Sequence, residues 1–154
     1  MQAQQPLQRI SREHLSSLLL SPEASKIAII DVRGDDHVGG HIHNSTHVPS
    51  TSLDYRIPQL VRTLADKQTV VFHCALSQER GPRAARRYMD EQRIDRTKRR
   101  EAADEVQEKV TDQQVYVLDG GFVKWQEKCA APLFFHSIHP HSFLPAMRIT
   151  NTAH

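Results

Sequence analysis

Cysteine is scarce in this chain: its 154 residues include only Cys74 and Cys129. Two thiols cannot build a disulfide scaffold, and their spacing lacks the paired pattern of a structural zinc site. Charge of one sign is not in excess either, because 20 Lys and Arg against 18 Asp and Glu leave +2. Without a concentrated patch, that balance argues against nucleic acid or a membrane surface as partner. No apolar run approaches the ~20 residues that a spanning helix needs, and Met1 to Pro6 shows no basic stretch leading into an apolar one. The expected location is therefore cytoplasmic or nuclear. Aromatic residues make up only 6%, and the length fits one domain of about 100 to 150 residues with one modest core.

What is present is an alternation of apolar runs and polar loops. Residues 1–10 are rich in Gln and are expected to be loose. Ser11 can cap a helix carrying Leu15, Leu18 and Leu19, which Ser21-Pro22 ends. Ile27 to Val32 and Thr69 to His73 are β-branched runs of the kind that fill buried parallel strands, and Gln114 to Leu118 is a third. Between the first two, 34–50 predicts a loop containing a short edge strand at His47-Val48-Pro49. Leu53, Ile57, Leu60, Val61 and Leu64 give a helical face over most of 53–65, made irregular by Pro58. The nearly all-polar stretch 90–112 predicts a solvated helical insertion or a mobile excursion, and Phe122 with Trp125 predicts a short helix. This order implies an α/β fold, a central mostly parallel sheet flanked by helices on both faces.

The chemistry concentrates at Cys74. A cysteine directly after a buried strand and before a helix lies where backbone N–H groups converge near a partly positive helix end, and both favour a thiolate. Arg80 follows after five residues, so a loop closing on itself can set a guanidinium opposite the sulfur and hold a tetrahedral oxyanion between them. Ser77 can donate to the sulfur or the anion, His73 can hold loop carbonyls, and Glu79 is the nearest acid for a leaving group. A buried cysteine with a chance arginine is the plain alternative. The preceding strand, His73 and the Gly81-Pro82 helix start together favour catalysis.

Other marked residues have simpler readings. Asp31 and Arg33 at a strand end predict a structural ion pair more than catalysts. His37, His41, His43 and His47, like His136, His139 and His141, lack the spacing and acidic partners of a metal site, so neither metal nor cofactor is expected. Cys129 reads as a passive thiol rather than one that resolves an oxidised Cys74. Arg83, Arg86 and Arg87 with Arg93 to Arg100 fit a solvated helix face and an acidic-partner surface equally well.

The segment His73-Cys-Ala-Leu-Ser-Gln-Glu-Arg-Gly-Pro82 resembles the active-site loop of the rhodanese superfamily, and within it that of the cell-cycle dual-specificity phosphatases and the fungal and plant arsenate reductases. Ile30-Asp-Val-Arg33, Gly39-Gly-His-Ile42 followed by Val48-Pro49, and Leu118-Asp-Gly-Gly-Phe-Val-Lys-Trp125 extend the resemblance over about 11–128. It implies a rhodanese-like catalytic domain over 11–128 and an irregular extension over 129–154. It also implies that the amides of Ala75, Leu76, Ser77, Gln78, Glu79 and Arg80 bind the oxyanion, that Cys74 is the nucleophile, and that Arg80 stabilises the transition state. Sulfurtransferases of the superfamily typically have one residue fewer in this loop, so five intervening residues favour phosphate or arsenate over a persulfide. Two departures matter. Val32 stands where many cell-cycle enzymes hold a second cysteine, and Ala75 where they often hold an acid, which leaves Glu79 as the acid candidate. The implied activity is a phosphatase on a phosphorylated protein or small oxyanion. The implied alternative is an arsenate reductase drawing electrons from glutathione and glutaredoxin. A thiosulfate sulfurtransferase and a non-catalytic anion-binding module are less favoured, the module because Cys74 and Arg80 are both present.

Overall fold

The fold is taken from a computed structural model, which describes residues 6–102 and 112–129. Strands β1 (Gln8–Ile10), β2 (Ile27–Asp31), β3 (Thr46–His47), β4 (Thr69–His73) and β5 (Gln114–Leu118) form one sheet in the order β1-β5-β4-β2-β3. Every pairing is parallel. Parallel strands need crossovers, and helices α1 (Arg12–Leu19), α2 (Leu53–Thr63), α3 (Arg80–Ala102) and α4 (Gly121–Cys129) occupy the connections or follow the last strand.

The strands read as continuous apolar runs because both faces are covered. Ile30, Val70, Phe72 and Val117 pack under α2 and α3 with Ile57, Leu60, Ala84 and Tyr88. Their neighbours in sequence, Ile29, Val71 and Leu118, point the other way and meet Leu15, Phe122 and Trp125 of α1 and α4. The result is the expected arrangement of helices on both sides of a central sheet.

Local chemistry sets the element ends. The Ser11 hydroxyl accepts the His14 amide and starts α1. Helix α2 starts at Leu53, before Pro58, and continues past it to Thr63. One proline costs about 3 kcal/mol, whereas burying Leu53, Ile57, Leu60 and Val61 returns roughly 1.5–3 kcal/mol each. The edge strand begins one residue earlier than its sequence pattern suggests: β3 is Thr46–His47, Val48 N–H still donates to Asp31 C=O at 2.8 Å, and Pro49, with no N–H, stops the ladder.

One expectation changes, and of the two readings of the polar stretch the helical one holds as far as Ala102. Of residues 1–10, read as loose, Gln8–Ile10 form the edge strand β1, in register with Tyr116 to Leu118, and Ile10 is buried. Three residues with two exposed polar side chains carry too little pattern to be recognised in the sequence. The polar stretch from Asp90 continues α3 to Ala102, its exposed face laced with ion pairs such as Arg99 to Asp95 at 2.9 Å. Residues 103–111, the Cys129 side chain and residues 130–154 with His136, His139 and His141 lie outside the described residues, and with them nearly all of the 129–154 stretch expected to be irregular. Among those described, no helix is long and apolar enough to cross a membrane.

If β1 is part of the fold, Ile10→Ala should lower unfolding free energy in urea by about 2–4 kcal/mol, as for other buried large-to-small changes. A loose tail would give a change within about 0.5 kcal/mol.

Candidate active site

Strand β4 ends at His73 in the middle of the sheet, and Cys74 begins the loop that leads to α3 at Arg80. This is the carboxyl end of a central parallel strand, the side on which open α/β sheets place their sites. The loop curls tightly around the sulfur. The Ser77 amide donates to Cys74 Sγ at 3.2 Å, and the Cys74 amide donates to Ser77 Oγ at 3.4 Å. Ser77 is fully buried with φ of 55°, a left-handed conformation that such a tight curl demands. Its predicted role therefore changes: the group facing the sulfur is the Ser77 amide, while its hydroxyl accepts from the chain.

The loop carbonyls are turned outward and tied there. The Phe122 and Val123 amides at the start of α4 donate to Cys74 C=O at 2.9 Å and Ala75 C=O at 3.0 Å. Both guanidinium ends of Arg9 donate to Ser77 C=O at 3.2 Å. Among the described residues no peptide bond is cis, so each C=O is antiparallel to the N–H of the next residue, and the Ala75, Leu76 and Gln78 amides are directed to the opposite, inner side. Close approach of α4 explains the glycine pair: Gly121 has φ of 60°, and a Cβ there would sit 2.5 Å from Ala75 O and 2.6 Å from Cys74 O. Helix α3 adds its partly positive end, with no acidic residue in its first turn. Such an array can receive a tetrahedral oxyanion.

Arg80 closes the loop, and its fork holds a carboxylate. Nη1 and Nη2 donate to Asp36 Oδ1 and Oδ2 at 2.7 and 2.6 Å, a bidentate pair. Asp36 is held in turn by the Gly34 amide at 2.9 Å. The Arg80 hydrogen bonds, partly opposed by desolvation, hold the Asp36 carboxyl well below the usual carboxylate range. The Arg80 pKa is raised above its ordinary value, first by Asp36 and more weakly by the nearby Cys74 sulfur. Asp36 is a site residue that sequence reasoning missed, since nothing in the Gly34 to Ser50 pattern marks which of its residues will face Arg80. Glu79, expected as the acid, is exposed, and its side chain makes no hydrogen bond or ion pair with the described residues.

Behind the loop lies a buried polar cluster. Arg33 donates from Nε to both Asp31 oxygens at 3.0 Å and from Nη2 to Asp31 Oδ2 at 2.6 Å and Gly40 C=O at 2.9 Å, and its guanidinium covers the Phe122 ring at 3.9 Å. Asp31 and Arg33 are thus the structural pair expected of them, joining β2, the 34–50 loop and α4. Burial is the largest single influence and pushes the Asp31 carboxyl up, but Arg33 and the neighbouring His73 together outweigh it and the net direction is down. Burial also pushes the His73 pKa down against the pull of Asp31, which keeps the ring neutral. Its Nδ1 lies 3.2 Å from Cys74 C=O, an acceptor only, so Nδ1 carries the proton and helps pin that carbonyl. Among the loop histidines, His37 stacks on His47 at 3.8 Å and approaches Asp31 Oδ2 at 3.3 Å. Arg83, Arg86 and Arg87 are exposed along α3, and Arg87 pairs with Asp54.

An all-parallel α/β sheet, with a cysteine loop of inward amides at the end of a central strand and an arginine closing it, defines a class of oxyanion-cradle proteins. Residues 14–128 match the family model of the rhodanese-like domain, and the chain belongs to that family. The dual specificity phosphatase Cdc25 of Arabidopsis thaliana is 47% identical over 91 residues, covering 55% of this chain and 62% of the plant protein. Arsenate reductase 2.2 of Oryza sativa subsp. japonica is 34% identical over 118 residues, 76% of this chain and 80% of the rice protein. The solved structure of an As-Sb reductase from Leishmania major superposes with a TM-score of 0.67 at 31% identity, covering 80% of this chain and 79% of that one. The relatives thus carry names of two kinds of enzyme.

Removing one partner of the buried pair leaves a charge uncompensated, so Asp31→Asn should cost about 3–5 kcal/mol in urea or thermal unfolding. Because the folded-state pKa of Asp31 is lowered, its contribution is complete above the unfolded value of about 3.9 and is lost as pH falls toward the folded one. The gap between wild type and Asp31→Asn should therefore narrow below about pH 4; a gap constant down to pH 2 would contradict this assignment.

Proposed function

We propose that this chain is a cysteine-dependent phosphatase of the dual-specificity type, acting on a phosphorylated protein or small phosphate ester. The observation that carries this is the Cys74 loop itself, with five residues before Arg80 and an amide already on the sulfur. The phosphatase name of the Arabidopsis relative supports the same reading.

The Cys74 thiolate attacks phosphorus, the bond to the ester oxygen breaks, and that oxygen leaves with a proton. The inward amides and the Arg80 fork stabilise the extra negative charge on the equatorial oxygens. Water then attacks the thiophosphate, the sulfur–phosphorus bond breaks, and inorganic phosphate leaves with the thiolate restored. For the phosphate to use the Arg80 fork, Asp36 must release it. Asp36, held ionised by that contact, carries no proton to give at neutral pH. Exposed Glu79 remains the loop's own acid, alongside solvent.

The similarity to the Leishmania major structure favours a second reading, arsenate reduction on the same loop. Arsenate would take the place of phosphate, and the two electrons would come from glutathione with glutaredoxin as partner.

The test is a side-by-side assay of aryl phosphate, of arsenate with glutathione and glutaredoxin, and of thiosulfate with cyanide. Aryl phosphate turnover is expected to exceed the other two and to fall by about a thousandfold or more in Cys74→Ser. Robust arsenate turnover with negligible aryl phosphate turnover would favour the second reading. Hydrolysis that persists in the Cys74→Ser protein would remove the nucleophile assignment from both.

A further inference from the structure

The three outward carbonyls of the loop are not held alike. Those of Cys74 and Ala75 are bound by main-chain amides of α4, but among the described residues that of Ser77 is bound only by a side chain, Arg9, which arrives from the edge strand β1. The Ser77 to Gln78 peptide is therefore the one whose orientation rests on a replaceable group.

Arg9 is itself well aimed. Its strand is locked in register opposite Val117, the Asp119 amide donates to Ile10 C=O at 2.9 Å, and Nη1 also reaches Asp119 Oδ1 at 3.4 Å. The main chain on both sides of the guanidinium is thus fixed before it meets the loop. At the other end, Ser77 is constrained on both sides of its Cα: its N–H is on the Cys74 sulfur, and its C=O is on Arg9. Those two contacts together hold a non-glycine residue in the left-handed region.

We propose that Arg9 is a positioning residue for the oxyanion cradle: by drawing the Ser77 carbonyl outward it turns the Gln78 amide inward and keeps the Ser77 amide on the sulfur. The inference rests on the reading of this loop as an oxyanion site. Arg9 touches neither the sulfur nor the anion. Its effect passes through one peptide plane, and a cation of similar reach can supply much of it.

Tungstate, a tetrahedral oxyanion that needs no turnover, is the probe. Its affinity is read in the full chain as protection of Cys74 from alkylation by iodoacetamide, with urea unfolding measured on the same proteins. Arg9→Ala should bind tungstate about tenfold more weakly while still folded, the size expected for losing one charge-assisted hydrogen bond. Arg9→Lys should recover most of that loss, because an ammonium can still donate to the Ser77 carbonyl. Wild-type affinity in Arg9→Ala, or no recovery in Arg9→Lys, would overturn the proposal. Protection of the wild-type protein without aryl phosphate hydrolysis would count against the phosphatase reading while leaving this one standing. A wild-type protein that tungstate does not protect would overturn the cradle and this inference together.

Discussion

The hydrogen bonds from Phe122 and Val123 to the carbonyls of Cys74 and Ala75 constrain most of what this molecule can do. A loop left to itself would present carbonyl oxygens as readily as amides to its interior, and oxygens repel an anion. Tying the oxygens to a helix start behind the loop leaves the amides facing in, and the peptide geometry does the rest. The same requirement explains why α4 must approach so closely, why no Cβ is tolerated at Gly121, and why β5 has to end beside β4. The sheet order thus serves the loop, since it brings chain segments far apart in sequence to one strand end.

Charge is layered around that loop. Deepest is the Asp31 and Arg33 pair, buried and satisfied, which fastens the 34–50 loop through Gly40 and supports Phe122 from beneath. Nearer the surface, the same loop presents Asp36 to Arg80. The closing arginine is consequently occupied by an internal carboxylate, which has the planar two-oxygen face that an arginine fork also recognises in phosphate. In the proposed function, anion binding is an exchange of one oxyanion for another, and the strength of the Asp36 contact sets how readily the substrate takes the Arg80 fork.

Much of this was legible in the sequence, and the reasons for the rest are physical. Ile27–Asp31, Thr69–His73 and Gln114–Leu118 announced themselves because a strand covered on both faces must be apolar throughout. Cys74 and Arg80 were legible because the loop is continuous and its chemistry depends on local spacing. Gln8–Ile10 were not, because a three-residue edge strand carries one buried side chain. Asp36 and Arg9 were not, because each meets the loop across a long stretch of sequence, at a distance no periodicity encodes. The sequence marks Ser77 only through its hydroxyl, because the positive φ that puts its amide on the sulfur belongs to the folded loop. Glu79 is the acid nearest to Cys74 in sequence, and the fold leaves its side chain exposed.

In the proposed function, the Cys74 to Arg80 loop is an oxyanion cradle whose arginine exchanges Asp36 for the anion. A crystal structure of the protein with bound tungstate tests it most directly. Tungstate is expected over Cys74 Sγ, its oxygens within hydrogen-bond distance of the loop amides, with the Arg80 fork on the anion and Asp36 released. Tungstate bound elsewhere, or seated in the loop while Arg80 stays on Asp36, would contradict it.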